Sequence, residues 1–343
     1  NFIVLIFVFL FILVLNSTTM AHEESPFGEY VTLLDENNKI IHQTATLVHV
    51  GDEYIDADNS RYKVIKVIGN TAKCDYVGQE QMPQVTYDKK AQTWTFPDDI
   101  VPVAQADNNT VAIYVTHSDE SYIPGDGTES IEGDGGIYDV ANAFAAQLKA
   151  HDFNVVFNDN NHNPHDINAY NRSRKTATNL LKNNPIAIFD VHRDAIPAEQ
   201  YEGKVKGKDV TKIKLVVGRT NPNSKTNLEF AKKIKAVMDE KKSGLSNGIF
   251  LGKGDYNQDL SPRALLIEVG SHENDKGAAI AGVKEFADII PTAVGADTSN
   301  PGPAKKPSKD DQGAGTTILI ILVVLGAAMG GFYLLNKGPS SDG

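Results

Sequence analysis

A single cysteine, Cys74, is the only thiol in the chain. An intramolecular disulfide framework is therefore excluded, and so is a thiolate zinc cage. Any metal must be held by histidine and carboxylate. Alone in a strand-like stretch, Cys74 reads as a small core residue. Positive charge is also short: 33 Lys and Arg stand against 44 Asp and Glu, a net charge of -11. Phosphate neutralisation needs a basic face, so no nucleic-acid partner is expected. No internal repeat runs along the sequence, and long apolar runs occur only at its two ends.

What is present is ordinary globular material, 41% hydrophobic and 22% charged over 343 residues. That is enough for one large domain or two modest ones. "NFIVLIFVFLFILVLNSTTMAHEE" opens with a charge-free run too short for a spanning helix and suited to a leader, with Thr19-Met20-Ala21 as a small-x-small context. Residues 1–21 are thus expected to be a signal peptide or an N-terminal membrane segment. "TTILIILVVLGAAMGGFYLL" (316–335) has the length of a transmembrane helix, and the Pro/Gly/Lys stretch 292–315 reads as a tether. These ends predict localisation at the cell membrane, with the intervening part exported. Lys305, Lys306 and Lys309 then lie outside, against the positive-inside rule. The leader takes precedence, because it sets topology before the last helix emerges.

Between the ends two styles follow one another. Residues 27–97 show short alternating runs broken at Asp35-Glu36-Asn37-Asn38, at Gly69-Asn70 and around Asp88-Lys89-Lys90, which predicts a small β-rich domain. His42 and His49 lie within its strand-like runs and read as structural. From 110 to 291 strands alternate with helical patterns. "TVAIYVTH", "NVVFN", "IAIFDVH", "KIKLVVGR" and "RALLIEVG" read as strands; "GIYDVANAFAAQLKAHD", "DINAYNRSRKTATNLLKNNP" (Asp166 as N-cap), "NLEFAKKIKAVMDEKK" and "GAAIAGVKEFADII" read as helices. The fold class expected is α/β, a mainly parallel sheet flanked by helices.

Three of these strands end in metal-type groups: His117, His192 and, inside Leu265-Leu266-Ile267-Glu268-Val269, Glu268. Open α/β sheets gather sites at the carboxyl ends of strands, so the three can converge. Two imidazoles and a carboxylate around an open position are the composition of a catalytic zinc site, in which a further, unligated carboxylate moves the proton. Glu268 is costly to bury unless ligated or paired. A buried ion pair with Arg193 or Arg263 is the alternative.

"DVHRDA", "VVGRTNPN", "NLEFAKKIK", "YNQDLSPRALLIEVG" and the following "EN" closely resemble the stage II sporulation protein P family, itself similar to zinc-dependent N-acetylmuramoyl-L-alanine amidases. The resemblance covers roughly Val111 to Pro291. It implies an amidase-like fold, Zn2+ as cofactor, peptidoglycan as substrate, amidase and endopeptidase activity in engulfment, and the stage II sporulation proteins D and M as partners. It also implies His117 and His192 as metal ligands and Glu268 as the catalytic carboxylate, with Glu268-Val269-Gly270 through Asn274 resembling the Glu-x-Gly-x-x-x-Asn pattern of the wider amidases. The family's His-Thr-His reads Val115-Thr116-His117 here, which makes His117 the essential member. The related amidases draw a third ligand from the start of the first helix, where this chain has Gly135-Gly136. Glu120 is the choice for that ligand and Glu132 the alternative, with Glu129 and Asp134 also available. Arg193 is expected to anchor a stem-peptide carboxylate, or else to pair with Asp194. Asn227 and Gln258 are expected to bind peptide amides, and Asp190 and Asp194 to support the site. His162 and His165 read as solvated loop residues, and His272 as bordering the site.

Overall fold

Alternation before Phe96 becomes seven short strands in the computed structural model, which describes residues 29–88, 93–96, 109–166 and 168–295. They are β1 (Val31–Leu34), β2 (Ile40–Thr44), β3 (Glu53–Ile55), β4 (Ser60–Ile68), β5 (Thr71–Gln79), and a small hairpin of β6 (Thr86–Asp88) and β7 (Thr93–Thr95). The following half alternates as its sequence predicts. It contains β8 (Thr110–Tyr114), α1 (Ile137–Ala150), β9 (Asn154–Phe157), α2 (Ala169–Leu181) and β10 (Ala187–Asp194). A hairpin of β11 (Glu202–Val205) and β12 (Lys208–Thr211) precedes β13 (Ile213–Gly218), α3 (Ser224–Lys241), β14 (Ser246–Gly252), β15 (Ala264–Ser271) and α4 (Lys276–Ala287). Asp166 does not cap α2, which starts after Asn168; its carboxylate accepts from the Asn168 N–H and pairs with Arg172 instead.

Eleven of these strands form one sheet in the order β2-β1-β5-β4-β3-β14-β13-β15-β10-β8-β9. Pairings among β10, β15, β8 and β9, and between β13 and β14, are parallel, while β13 meets β15 antiparallel. Strands β1–β5 of the expected 27–97 domain instead extend this sheet through antiparallel β3–β14, while β6 and β7 pair only with each other. The reason is burial: Val31, Leu33, Tyr54, Val64 and Cys74 share one apolar cluster with Val216, Phe250 and Leu266, and so short a sheet has little core of its own. Gly248 lets the two halves meet. It adopts φ +80°, and a Cβ there would stand 2.3 Å from the Ile55 carbonyl oxygen. Its Ser-Asn-Gly context reads as a turn, which hides β14 from the sequence.

The strands of the α/β half are buried on both faces, as parallel strands under helices are. Val111, Ile113 and Phe189 face α1 and α4, where Phe144 and Phe286 pack edge-on or tilted at 5.4–6.0 Å centroid distances. Ala112, Tyr114 and Ile188 face the opposite way, toward Ala177 and Leu180 of α2. That second face carries the site. The expected leader (1–21) and the expected transmembrane helix (316–335) lie outside the described residues. The first residues assigned to the tether continue helically, in a short turn over Ile290–Val294. Among the described residues no helix is long and apolar enough to cross a membrane.

His42 stacks on Tyr54 at 4.1 Å between centroids, and its buried Nε2 has no hydrogen-bond partner. Burial, and secondarily the nearby Lys214 cation, push its pKa well below the ordinary value. The folded state therefore resists a proton that the unfolded chain accepts below about pH 6.5. Stability is intact above that pH and falls as pH drops through it, at up to about 1.4 kcal/mol per pH unit from this group. Thermal melts stepped from pH 8 to pH 5.5 should show this fall. His42→Phe should flatten it, and an unchanged slope would remove His42 as its source.

Candidate metal centre and active site

The turn after β8 is stitched to β10 by hydrogen bonds. Thr116 donates its N–H to Asp190 Oδ1 at 2.9 Å and its hydroxyl to Asp190 Oδ2 at 2.6 Å. The Thr116 hydroxyl also contacts Ser173 Oγ at 2.8 Å, and Asn257 Nδ2 donates to that same serine at 3.1 Å. Two strand ends, α2 and the loop before β15 are thereby held in one buried polar network. Residues 117–120 then turn inward, the Glu120 N–H reaching the His117 carbonyl at 3.3 Å, and dock on the amino end of α1 through Ile137 N–H to Glu120 O at 3.0 Å. The close approach requires a glycine beside it: a Cβ on Gly135 would lie 2.4 Å from the Glu120 carbonyl oxygen.

The result is a buried group of His117, Glu120 and His192 whose ligand-type atoms all lie within 4.8 Å of one another. Glu120 Oε1 is 3.1 Å from His117 Nδ1 and 3.4 Å from His192 Nδ1, and Oε2 accepts the Arg193 N–H at 2.9 Å. Burial alone would raise the Glu120 pKa. The imidazoles of His192 and His117 and the Arg193 guanidinium outweigh it and hold the carboxyl well below its usual range. His192 is likewise buried, yet Asp190 and Glu120 push its pKa well above the imidazole norm. Its Nε2 lies 3.1 Å from Asp190 Oδ1 but off the hydrogen-bonding direction, and is left without a bond. The donor set of this buried cluster fits a divalent cation. Its donors, two imidazoles and one carboxylate, are those of zinc in a site with an open position.

Register places Glu268. On parallel strands β10 and β15 it pairs with His192, and on antiparallel β13 with Lys214, so all three side chains share one sheet face. Glu268 Oε2 is buried with no hydrogen-bond partner. Burial raises its pKa to about 8, Asp194 and Glu120 adding to the rise while Lys214 and His192 oppose it. The Glu-x-Gly-x-x-x-Asn pattern shapes the turn that follows. Gly270 takes φ +78° against the Thr211 side chain, and Asn274 Oδ1 accepts the Ser271 N–H at 2.8 Å.

Several expected site residues stand elsewhere or act otherwise. Glu132 and Asp134 are exposed, and Glu129 is only half-buried; none of the three joins the metal-capable cluster. Arg193 holds the loop as well: Nε donates to the Ser121 carbonyl at 3.2 Å and an NH2 group to the Glu129 carbonyl at 3.0 Å. Asp194, its alternative partner, pairs with Lys214. Asn227 donates to the Ser261 and Ala264 carbonyls, and Gln258 brackets Gly218 N–H and Val216 O. Both brace the sheet end opposite Glu268. His162 is buried rather than solvated, bonded to Val115 O and Thr176 Oγ1. His165 stacks on His117 at 3.8 Å and meets Asp119 Oδ1 at 3.1 Å, so it belongs to the site. His272 borders it, its N–H donating to the Asp194 carbonyl at 2.9 Å.

Residues 32–291 match the family described as stage II sporulation protein P (SpoIIP). The chain belongs to that family. A stage II sporulation protein P from Bacillus subtilis (strain 168) is 30% identical over 203 residues, covering 54% of this chain and 51% of that protein. The chain thus matches about half the length of this curated relative. Among solved structures, the CwlD amidase of Clostridioides difficile in complex with the GerS lipoprotein is similar at 15% identity and a TM-score of 0.38, over 55% of this chain and 98% of that one. The apo N-acetylmuramyl-L-alanine amidase Ami1 of Mycobacterium abscessus is similar at 14% identity and a TM-score of 0.36, over 55% and 99%.

Because Arg193 ties the 121–129 loop to β10, Arg193→Gln should loosen Glu120 rather than substrate. Zinc affinity should fall on the order of 10- to 100-fold, as when groups supporting metal ligands are lost. Titration calorimetry on the refolded apo protein checks this. Unchanged zinc affinity with a raised KM would restore the substrate-anchor role.

Proposed function

We propose that this chain is a zinc-dependent peptidoglycan hydrolase that cleaves the amide between the muramoyl lactyl group and L-alanine. Its place is sporulation, during engulfment, alongside the stage II sporulation proteins D and M. The observation that carries the reading is the buried His117–Glu120–His192 cluster with Glu268 in register beside it. His117, His192 and Glu120 would hold the metal. Zinc held there would supply Lewis-acid polarisation of the scissile carbonyl and a water of lowered pKa.

The remaining chemistry belongs to side chains of the chain. Glu268 Oε2, unbonded and facing the cluster's strand, takes a proton from the attacking water and delivers it to the leaving amine. Burial raises its pKa, a direction that suits a carboxyl that takes up a proton and then gives it back. Arg193 and Gly135 keep the Glu120 turn closed, and His165 over His117 shields that ring from water. Export and membrane attachment are part of the same proposal and rest on the sequence of residues 1–21 and 316–335.

Mass spectrometry of purified peptidoglycan after digestion decides the bond. Intact free stem peptides are expected; shortened or uncrosslinked peptides still on glycan would assign the site to a stem-peptide endopeptidase instead. Elemental analysis should find about one zinc per chain, as a single site of this ligand set requires. A wall-binding scaffold would hold none and release nothing. Glu268→Gln should keep the zinc and lose turnover by on the order of a hundredfold or more. A variant that still turns over would remove Glu268 as the base.

A further inference from the structure

Strand β13 is buried throughout, with Ile213, Leu215, Val216 and Val217 forming its apolar pattern, and within it Lys214 is fully buried too. Its Nζ pairs with the Asp194 carboxylate and donates to Thr44 Oγ1 at 3.1 Å. Asp194 is held further by the Ala45 N–H at 3.0 Å, the Ala195 N–H at 2.9 Å and the Tyr201 hydroxyl at 3.0 Å. Stability is a poor account of such a pair, because well-packed apolar side chains often replace a buried ion pair without loss. The neighbouring strand gives a better one.

Lys214 and Glu268 are directly opposed across antiparallel β13–β15, and Glu268 and His192 are opposed across β10–β15. The buried carboxylate thus lies on the strand between those of Lys214 and His192, with Oε2 bonded to nothing. A cation on one side only would draw it across the dry interior, where charges interact strongly, and make it one more ligand. A second cation, the Lys214 ammonium that Asp194 and Thr44 fix in place, opposes that pull without occupying the lone pairs that a base needs.

We propose that Lys214, braced by Asp194 and Thr44, is a positioning residue that holds Glu268 off the metal cluster and so keeps it an unligated base. The inference rests on the zinc-hydrolase reading above. Lys214→Met alone would strand Asp194 as an uncompensated buried charge, so the informative variant is Lys214→Met with Asp194→Asn. Three readouts are taken on the purified chain: the melting temperature without metal, the visible spectrum of the cobalt(II)-substituted protein, and kcat and KM on peptidoglycan. The double variant should melt close to the parent. Its cobalt absorption should weaken as a fifth ligand joins, and kcat should drop at least about tenfold with KM within about twofold. Adding Glu268→Ala should return the cobalt spectrum to the parent form. A parental spectrum and kcat in the double variant, or a double variant that does not fold, would make Lys214 a core residue and overturn the proposal. If instead the parent holds no zinc, or Glu268→Gln stays active, the zinc-hydrolase reading fails.

Discussion

The register of β15 between β10 and β13 is the constraint on which the site depends. It sets His192, Glu268 and Lys214 in a row across three strands, and a slip of one residue would turn Glu268 to the face covered by α1 and α4. The register is enforced from both sides of the sheet. Leu265, Ile267 and Val269 belong to the core on one face, and Leu266 packs with Val216 and Phe250 on the other. Apolar burial therefore places the charged row, although the row itself adds little to stability.

Around that row most buried polar groups among the described residues are bonded, and Glu268 Oε2 and His192 Nε2 are among those that are not. Asp190 is engaged by Thr116, Asp194 by Ala45, Ala195, Tyr201 and Lys214, and Arg193 by two carbonyls of the 121–129 loop. Each bond removes a freedom from the turn that carries Glu120 or from the strand that carries His192. Preorganised side chains of this kind cost no reorganisation when charge develops during a reaction. The edge strands take part as well, since Thr44 and Ala45 contact the Lys214–Asp194 pair. A segment whose sequence suggests a separate domain thus completes the wall behind the face that carries the cluster.

Much of the layout is legible in the order of residues. The α/β alternation, the burial of Cys74 and the convergence of two histidines with Glu268 follow from periodicity and from the cost of burying a carboxylate. Lys214 carries the same signal as Glu268, a charge inside "KIKLVVG" that is costly to bury unpaired. The roles of Arg193, Asn227 and Gln258 are not legible in this way. A polar side chain near a motif looks the same whether it faces a ligand or a backbone carbonyl, and only the path of the chain shows which carbonyls are within reach. Strand β14 is obscured because Gly248 serves close packing while resembling a turn.

By itself the sequence determined which residue types could hold a metal, because with one cysteine the choice is limited to histidine and carboxylate. It determined the strands that carry them as well, because apolar runs of that length must be buried. The resemblance favours Glu120 among the acids of its loop, but its inward position was decided only in three dimensions. Glu120, Glu129, Glu132 and Asp134 are chemically alike and lie within one loop, and the docking of that loop on α1 beside Gly135 turns Glu120 inward and leaves Glu132 in water. Long-range packing decides this, and local sequence cannot express it.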